Sequence, residues 1–199
     1  MSPEAMRVLA ELKKHGLLLL TDAKLPNLCA LVAGETVRGS WWAHPRSQRI
    51  FRVDGEVDDH PDVLMTKLVS GKVTYVHRAL WPAVIAVGRA REPWQMKGLS
   101  KDARKLLAAV DGKPVQPGRG MSKPASELEM RLLAHSEQFH SQSGAHVRRL
   151  ESWDHWSSRA GDAGERLAAS DAKLALEKVV ASLNRKFQGK GRLPWRATS

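Results

Sequence analysis

Trp41 and Trp42 stand side by side in GETVRGSWWAHPRSQRIFRV, with His44, Arg46 and Arg49 close behind them. An indole face stacks on a nucleobase for roughly 1–3 kcal/mol per base in single-strand binders. It is also how a pocket holds a base extruded from a duplex. Trp41 and Trp42 are therefore the base-stacking candidates, although most of the seven tryptophans are expected in the core. Neighbours on a strand point to opposite faces, so one of the pair is expected inward and the other toward a surface or cleft. His44 is the candidate for polarising a water, and Asp59, in the acidic stretch 54–62 (DGEVDDHPD), the candidate general base. The simpler reading of that stretch is a solvated loop balancing nearby arginines.

Other chemistries find less to work with. Eight histidines raise the question of a metal, and His140 and His146 are placed to face each other across a hairpin, with His135 one helical end away. Yet the chain has no HExxH, no HxH and no paired Cys/His spacing, so no metal and no cofactor are expected. Cys29, the single cysteine, lies in the apolar run NLCALVA and is expected to be a buried, inert thiol. Hydrolase, nucleotidase and dinucleotide-binding readings lack their G-x-S-x-G, P-loop and G-x-G-x-x-G signatures.

Charge gives the strongest signal. Lys and Arg number 32 against 21 Asp and Glu, for a net charge of +11 and a pI near 10.2. Such a surplus favours polyanionic partners through steering and counterion release. The cations expected to meet nucleic acid are Arg46, Arg49, Lys72, Arg78, Arg148, Arg149, Arg185, Lys186, Lys190 and Arg192. Arg148 and Arg149 suit phosphate contact from a hairpin, because arginine forks onto phosphate oxygens. An acidic protein partner fits the same charge. No stretch reaches the roughly 18 apolar residues a membrane span requires. The N-terminus lacks a signal-peptide pattern, so a cytoplasmic location without a membrane partner is expected.

Elements follow from apolar spacing and punctuation. Met6, Leu9 and Leu12 predict a helix over 3–14 that His15-Gly16 ends, and 17–20 is a buried strand. Pro26 is expected to open a second helix that Gly34 stops. Residues 46–53 predict a short helix with Ile50 and Phe51 inward. Residues 63–69 and 72–77 predict a hairpin turning at Ser70-Gly71. A helix over 78–90 follows, with Leu80, Val84, Ile85 and Val87 inside and Pro82 in its first turn. Ser100 caps another through Val110. Residues 113–120 (KPVQPGRG) are the linker candidate. Ser126 and Glu129 form a capping box for a helix through Ser136. A second hairpin is expected over 139–150 with its turn at Ser143-Gly144, then the Trp153/Trp156 pair, a loose stretch 161–170 and a last helix 171–183. The tail NRKFQGKGRLPWRATS carries five basic residues and no acidic one.

The expected class is α+β: winged-helix-like helices with two short β-hairpins, plus a C-terminal helix and basic tail. The division is an N-terminal α/β core with the central hairpin (1–112), a helix-plus-hairpin, wing-like unit (113–160), and the C-terminal helix and tail (161–199).

Several short motifs sit in a familiar order: Gly16-Leu17-Leu18, Leu25-Pro26-x-Leu28, Ala33-Gly34, the tryptophan pair, Lys67-Leu68-Val69-x-Gly71-Lys72-x-Thr74, Leu80-Trp81-Pro82, Gly98-Leu99-Ser100-x-x-Ala103, and Gly144-Ala145-His146 before Trp153. Over residues 8–156 the chain resembles poorly characterised bacterial winged-helix proteins related to DNA glycosylases of the AlkZ type. The resemblance implies a DNA-binding body linked to DNA repair, with DNA ahead of RNA as partner. It implies, as an alternative, a divergent glycosylase that flips a modified base and hydrolyses its N-glycosidic bond. The Gln-x-Gln or Gln-x-Asp that such glycosylases are similar in carrying is absent, so no catalytic residue carries over.

Overall fold

The computed structural model describes residues 1–140, 146–161 and 167–196. In chain order the elements are α1 (Pro3–His15), β1 (Leu17–Leu19), α2 (Leu28–Ala33), α3 (Ser47–Asp58), β2 (Val63–Lys67), β3 (Val73–His77), α4 (Trp81–Arg89), α5 (Pro93–Met96), α6 (Lys101–Gly112), α7 (Ser122–Met130), β4 (His135–His140), β5 (His146–Glu151), α8 (Trp153–Arg159) and α9 (Ala169–Phe187). The mixed α+β class expected from sequence is what is observed. Contacts divide the chain into two units: residues 1–81 with 174–197, and residues 82–173. These cuts fall elsewhere than the sequence-based divisions after 112 and 160. None of the described helices is long and apolar enough to cross a membrane.

In the first unit, helix, strand, two helices and a hairpin follow one another. The sheet is antiparallel with strand order β1-β3-β2. Its register pairs Leu18 and Met65 with Tyr75, from either side of the central strand. Those residues and Val63 face a core made by Ala5, Val8 and Leu12 of α1, Leu28 and Val32 of α2, and Ile50, Val53 and Val57 of α3. α1 starts cleanly because the Ser2 side chain accepts from Ala5 N–H and Pro3 needs no donor partner. Asn27, not Pro26, caps α2, its carboxamide oxygen accepting from Ala30 N–H at 2.9 Å. Pro26 lies just before the cap, where asparagine supplies the acceptor that proline lacks.

Three expectations change here. The tryptophan pair lies on a 3-10 turn, Trp41–Ala43, not on a strand. α3 runs through most of the stretch read as an acidic loop, because Ile50, Val53 and Val57 hold one apolar stripe to Asp58. Phe51, expected inward, is 49% exposed, since it lies one position off that stripe. The central hairpin stands where expected, although pairing stops at Lys67↔Val73 and leaves 68–72 as its loop. Ser70 and Gly71 both take positive φ, as such a tight turn demands.

The second unit packs Leu99, Ala103, Leu106, Leu107 and Val110 against Ala125, Leu128, Leu133 and Leu150. α7 begins at Ser122, so Ser126 is mid-helix and caps nothing; Glu129, expected to complete its box, instead pairs with Arg148. β4 starts at His135, earlier than expected, and pairs with β5 from His135↔Glu151 to His140↔His146. The expected turn at Ser143-Gly144 lies outside the described residues. Val115, within the linker candidate, forms a bridge with Leu150 and is thereby tied to the hairpin. α4 presses so closely on α8 that a Cβ on Gly88 would stand 2.3 Å from the Trp153 indole. The Trp153 ring, 2% exposed, donates to Leu132 O at 2.7 Å and meets Trp156 edge-to-face at 6.0 Å.

Candidate nucleic-acid interface

The basic tail is a fixed strap. α9 ends at Phe187, and Asn184 then uses both ends of its carboxamide on Gly191, donating to Gly191 O at 2.9 Å and accepting from Gly191 N at 2.7 Å. Gly189 and Gly191 lie flat on Leu25: a Cβ would meet the Leu25 side chain at 2.3 Å from the first and 2.9 Å from the second, with Val69 at 2.8 Å. Only glycine lets backbone approach that near. One step on, Ser70 N donates to Arg192 O at 2.7 Å and Arg192 N to Ser70 Oγ at 3.1 Å. Leu193 is buried, and Trp195 and Arg196 both close on Glu177. The strap thus holds Lys190 and Arg192 beside the 68–72 loop, and reaches the turn that carries Lys24.

This arrangement leaves a set of cations without counter-charges. Residues 178–196 hold Lys178, Arg185, Lys186, Lys190, Arg192 and Arg196 and no Asp or Glu. Arg185, Lys186, Lys190 and Arg192 are exposed, and none has a carboxylate partner among the described residues. Lys186 lies 5.4 Å over the Phe187 ring, and Phe187 meets His15 edge-on at 5.3 Å. Burial first, and then the Lys186 charge, hold the His15 pKa below its ordinary value.

The other expected cations have partners within the protein. Lys72 pairs with Asp22 at 2.6 Å, and Arg78 with Asp62 at 2.9 Å while lying 5.7 Å over the Trp81 ring. The Arg46 guanidinium donates to Ala33 O, and Arg49 pairs with Glu4. On the second hairpin, Arg148 donates to Ser136 Oγ at 2.9 Å and pairs with Glu129; Arg149 pairs with Glu137. Arg159 links Glu137 to Glu151, and Glu151 meets His135 Nδ1 at 3.2 Å. These charges staple the hairpin to α7 and α8. His135, expected at a helix end, is instead the buried first residue of β4.

The tryptophans divide as expected. Trp41 is 9% exposed and Trp42 is 60% exposed, stacked at 3.9 Å with their planes 25° apart. Phe51 stands 5.5 Å from Trp42. His44 Nε2 lies 3.5 Å from Glu35, and its Nδ1 accepts from Arg46 N at 3.1 Å. Asp59 is the C-cap of α3. Asp54, in α3, accepts from the buried Tyr75 hydroxyl, and burial raises its pKa. Among the described residues, no group of three or more His, Cys, Asp or Glu is placed to hold a metal ion.

Sequence reasoning singled out the tail cations but missed what fixes their backbone: Leu25, Ser70 and Asn184. The signal was the pair of glycines in Gln188-Gly189-Lys190-Gly191, a mark of close backbone approach. No family model, curated protein or solved structure matches this chain.

Proposed function

We propose that this protein binds nucleic acid, DNA ahead of RNA, through phosphate contacts made by the end of α9 and the C-terminal strap that follows it. One observation carries the reading. Arg185, Lys186, Lys190 and Arg192 stand exposed and without carboxylate partners among the described residues, the first two on the last turn of α9 and the other two on the strap fastened behind it. Cations on an already ordered backbone spare the cost of ordering the chain on meeting phosphate, and each one that neutralises a phosphate releases counterions. The ion pairs at Arg49, Lys72, Arg78, Arg148 and Arg149 limit how many phosphates are engaged. Four contacts correspond to a slope of log K on log[salt] of roughly −3.6, or a loss of about 150-fold between 50 and 200 mM salt.

Fluorescence anisotropy on a labelled duplex across that salt range tests this. Replacing all four of these cations with serine is expected to remove most of the affinity and flatten the slope. Replacing Arg148 and Arg149 with alanine is expected to leave binding within a few-fold. Salt-independent binding, or loss confined to the Arg148/Arg149 variant, overturns the reading.

A further inference from the structure

The exposed stack on the N-terminal side of α3 matches a second kind of contact. We propose that Trp42, backed by Trp41 and flanked by Phe51, is a landing face for one unpaired nucleobase, in a single strand or extruded from a duplex. The inference rests on the nucleic-acid reading above and adds to it the state of the strand that is bound.

Trp42 is exposed over 60% of its surface while one of its faces is already stacked on a buried indole. A ring held this way on one side keeps a fixed plane, so a base stacking on it costs little side-chain entropy. Phe51, 49% exposed, adds a second aromatic wall at 5.5 Å, tilted by 41°. Both residues come from a segment with unusual charge. Between Glu35 and Asp54 the chain carries Arg38, Arg46, Arg49 and Arg52 and no acid. Glu4 engages Arg49 and lies 3.7 Å from Arg52. Arg38 is exposed, and neither it nor Arg46 has a carboxylate partner among the described residues.

Aromatic faces together with surplus guanidinium select a ligand that is flat, apolar on its faces and anionic at its edge, which describes a nucleotide. An apolar protein partner fits less well. Two side chains fall far short of the roughly 800 Å² per partner of a stable protein interface, and the arginines around them are costly to desolvate. Bases in an intact duplex offer no free face. The surface therefore selects unpaired ones.

The test uses the full chain with two labelled single strands of equal length, an oligothymidylate and the same strand with abasic sites throughout. Trp42→Ala is expected to weaken oligothymidylate binding by roughly 5- to 150-fold, the range set by stacking one base. Its salt slope and its affinity for the abasic strand are expected to stay at wild-type values. Trp42→Phe is expected to recover most of the loss, which a purely structural role does not predict. Equal effects of Trp42→Ala on both strands, or none on either, overturn the proposal. In the second case, a strap variant that still loses affinity leaves the phosphate reading standing. If the wild-type protein binds neither strand nor duplex at 50 mM salt, both readings fall; if Trp42→Ala abolishes only the capture of a protein, the face belongs to that partner.

Discussion

At the scale of single residues, the groups that look most reactive on paper are the most firmly held. Cys29 is fully buried, and burial together with the Asp54 charge pushes its thiol up to about 12. Thiolate is the reacting form, so native protein is expected to resist a thiol-specific disulfide reagent. Labelling should proceed only at the rate of unfolding; rapid labelling of native protein would show the thiol accessible. Glu151 is the opposite case. Burial opposes its charge, but hydrogen bonds from His135 and Arg159 prevail and hold its pKa at about 2, against 4.5 for the free side chain. A carboxyl depressed on folding stabilises above its unfolded value and loses that contribution as pH falls through its folded one. Between pH 4.5 and pH 2 the second unit should lose about 3 kcal/mol from this group alone. Urea melts of wild type and Glu151→Gln over that interval should converge as pH falls. A difference that stays constant with pH would assign the stabilisation elsewhere.

At the scale of elements, much was legible because local rules decide it. Apolar spacing located α1, α3, α6 and α9, and Ser100 marked the start of α6 through its bond to Ala103 N–H. Where composition and spacing conflicted, spacing prevailed, which is why the acidic run became the last turns of α3. The Ser126/Glu129 pattern misled because Glu129 has a stronger use, as counter-charge to Arg148 on a strand that follows it. Long-range pairings left no local trace: Arg49 meets Glu4 across 45 positions and Lys72 meets Asp22 across 50. The candidate interface was therefore legible as a list of cations and illegible as a selection among them. Close approach between elements is a further property that spacing does not reveal. Gly88→Ala should favour the helix by up to about 1 kcal/mol on propensity. The new methyl nonetheless has to displace a rigid, fully packed indole 2.3 Å away. Overpacking of this kind costs roughly 1–3 kcal/mol, so thermal melts should show net destabilisation. A stabilised variant would mean that Trp153 relocates at no cost.

At the scale of the whole molecule, the order of the chain and the order of assembly differ. The first unit is discontinuous: the chain leaves it near Trp81 and returns at Leu174. What returns is structural as well as basic. Leu176, Val180, Leu183 and Leu193 are buried, Phe187 packs on His15 of α1, and the strap supplies the hydrogen bonds that hold the 68–72 loop. The cations proposed to meet phosphate are thus carried by the segment that completes the unit, so the proposed binding depends on the same segment as the fold. A chain ending at residue 173 should leave β1, β3 and the 68–72 loop poorly protected in hydrogen exchange, because their covering segment is missing. The second unit keeps its own core of α6, α7 and Leu150, and its amides should stay protected in the same sample. Supplying residues 174–199 as a separate peptide should restore both protection and duplex binding, at a peptide concentration set by their mutual affinity. If the shortened chain instead retains native protection in β1 and β3, the C-terminal segment is an appendage, and its charges have no folded frame to aim them.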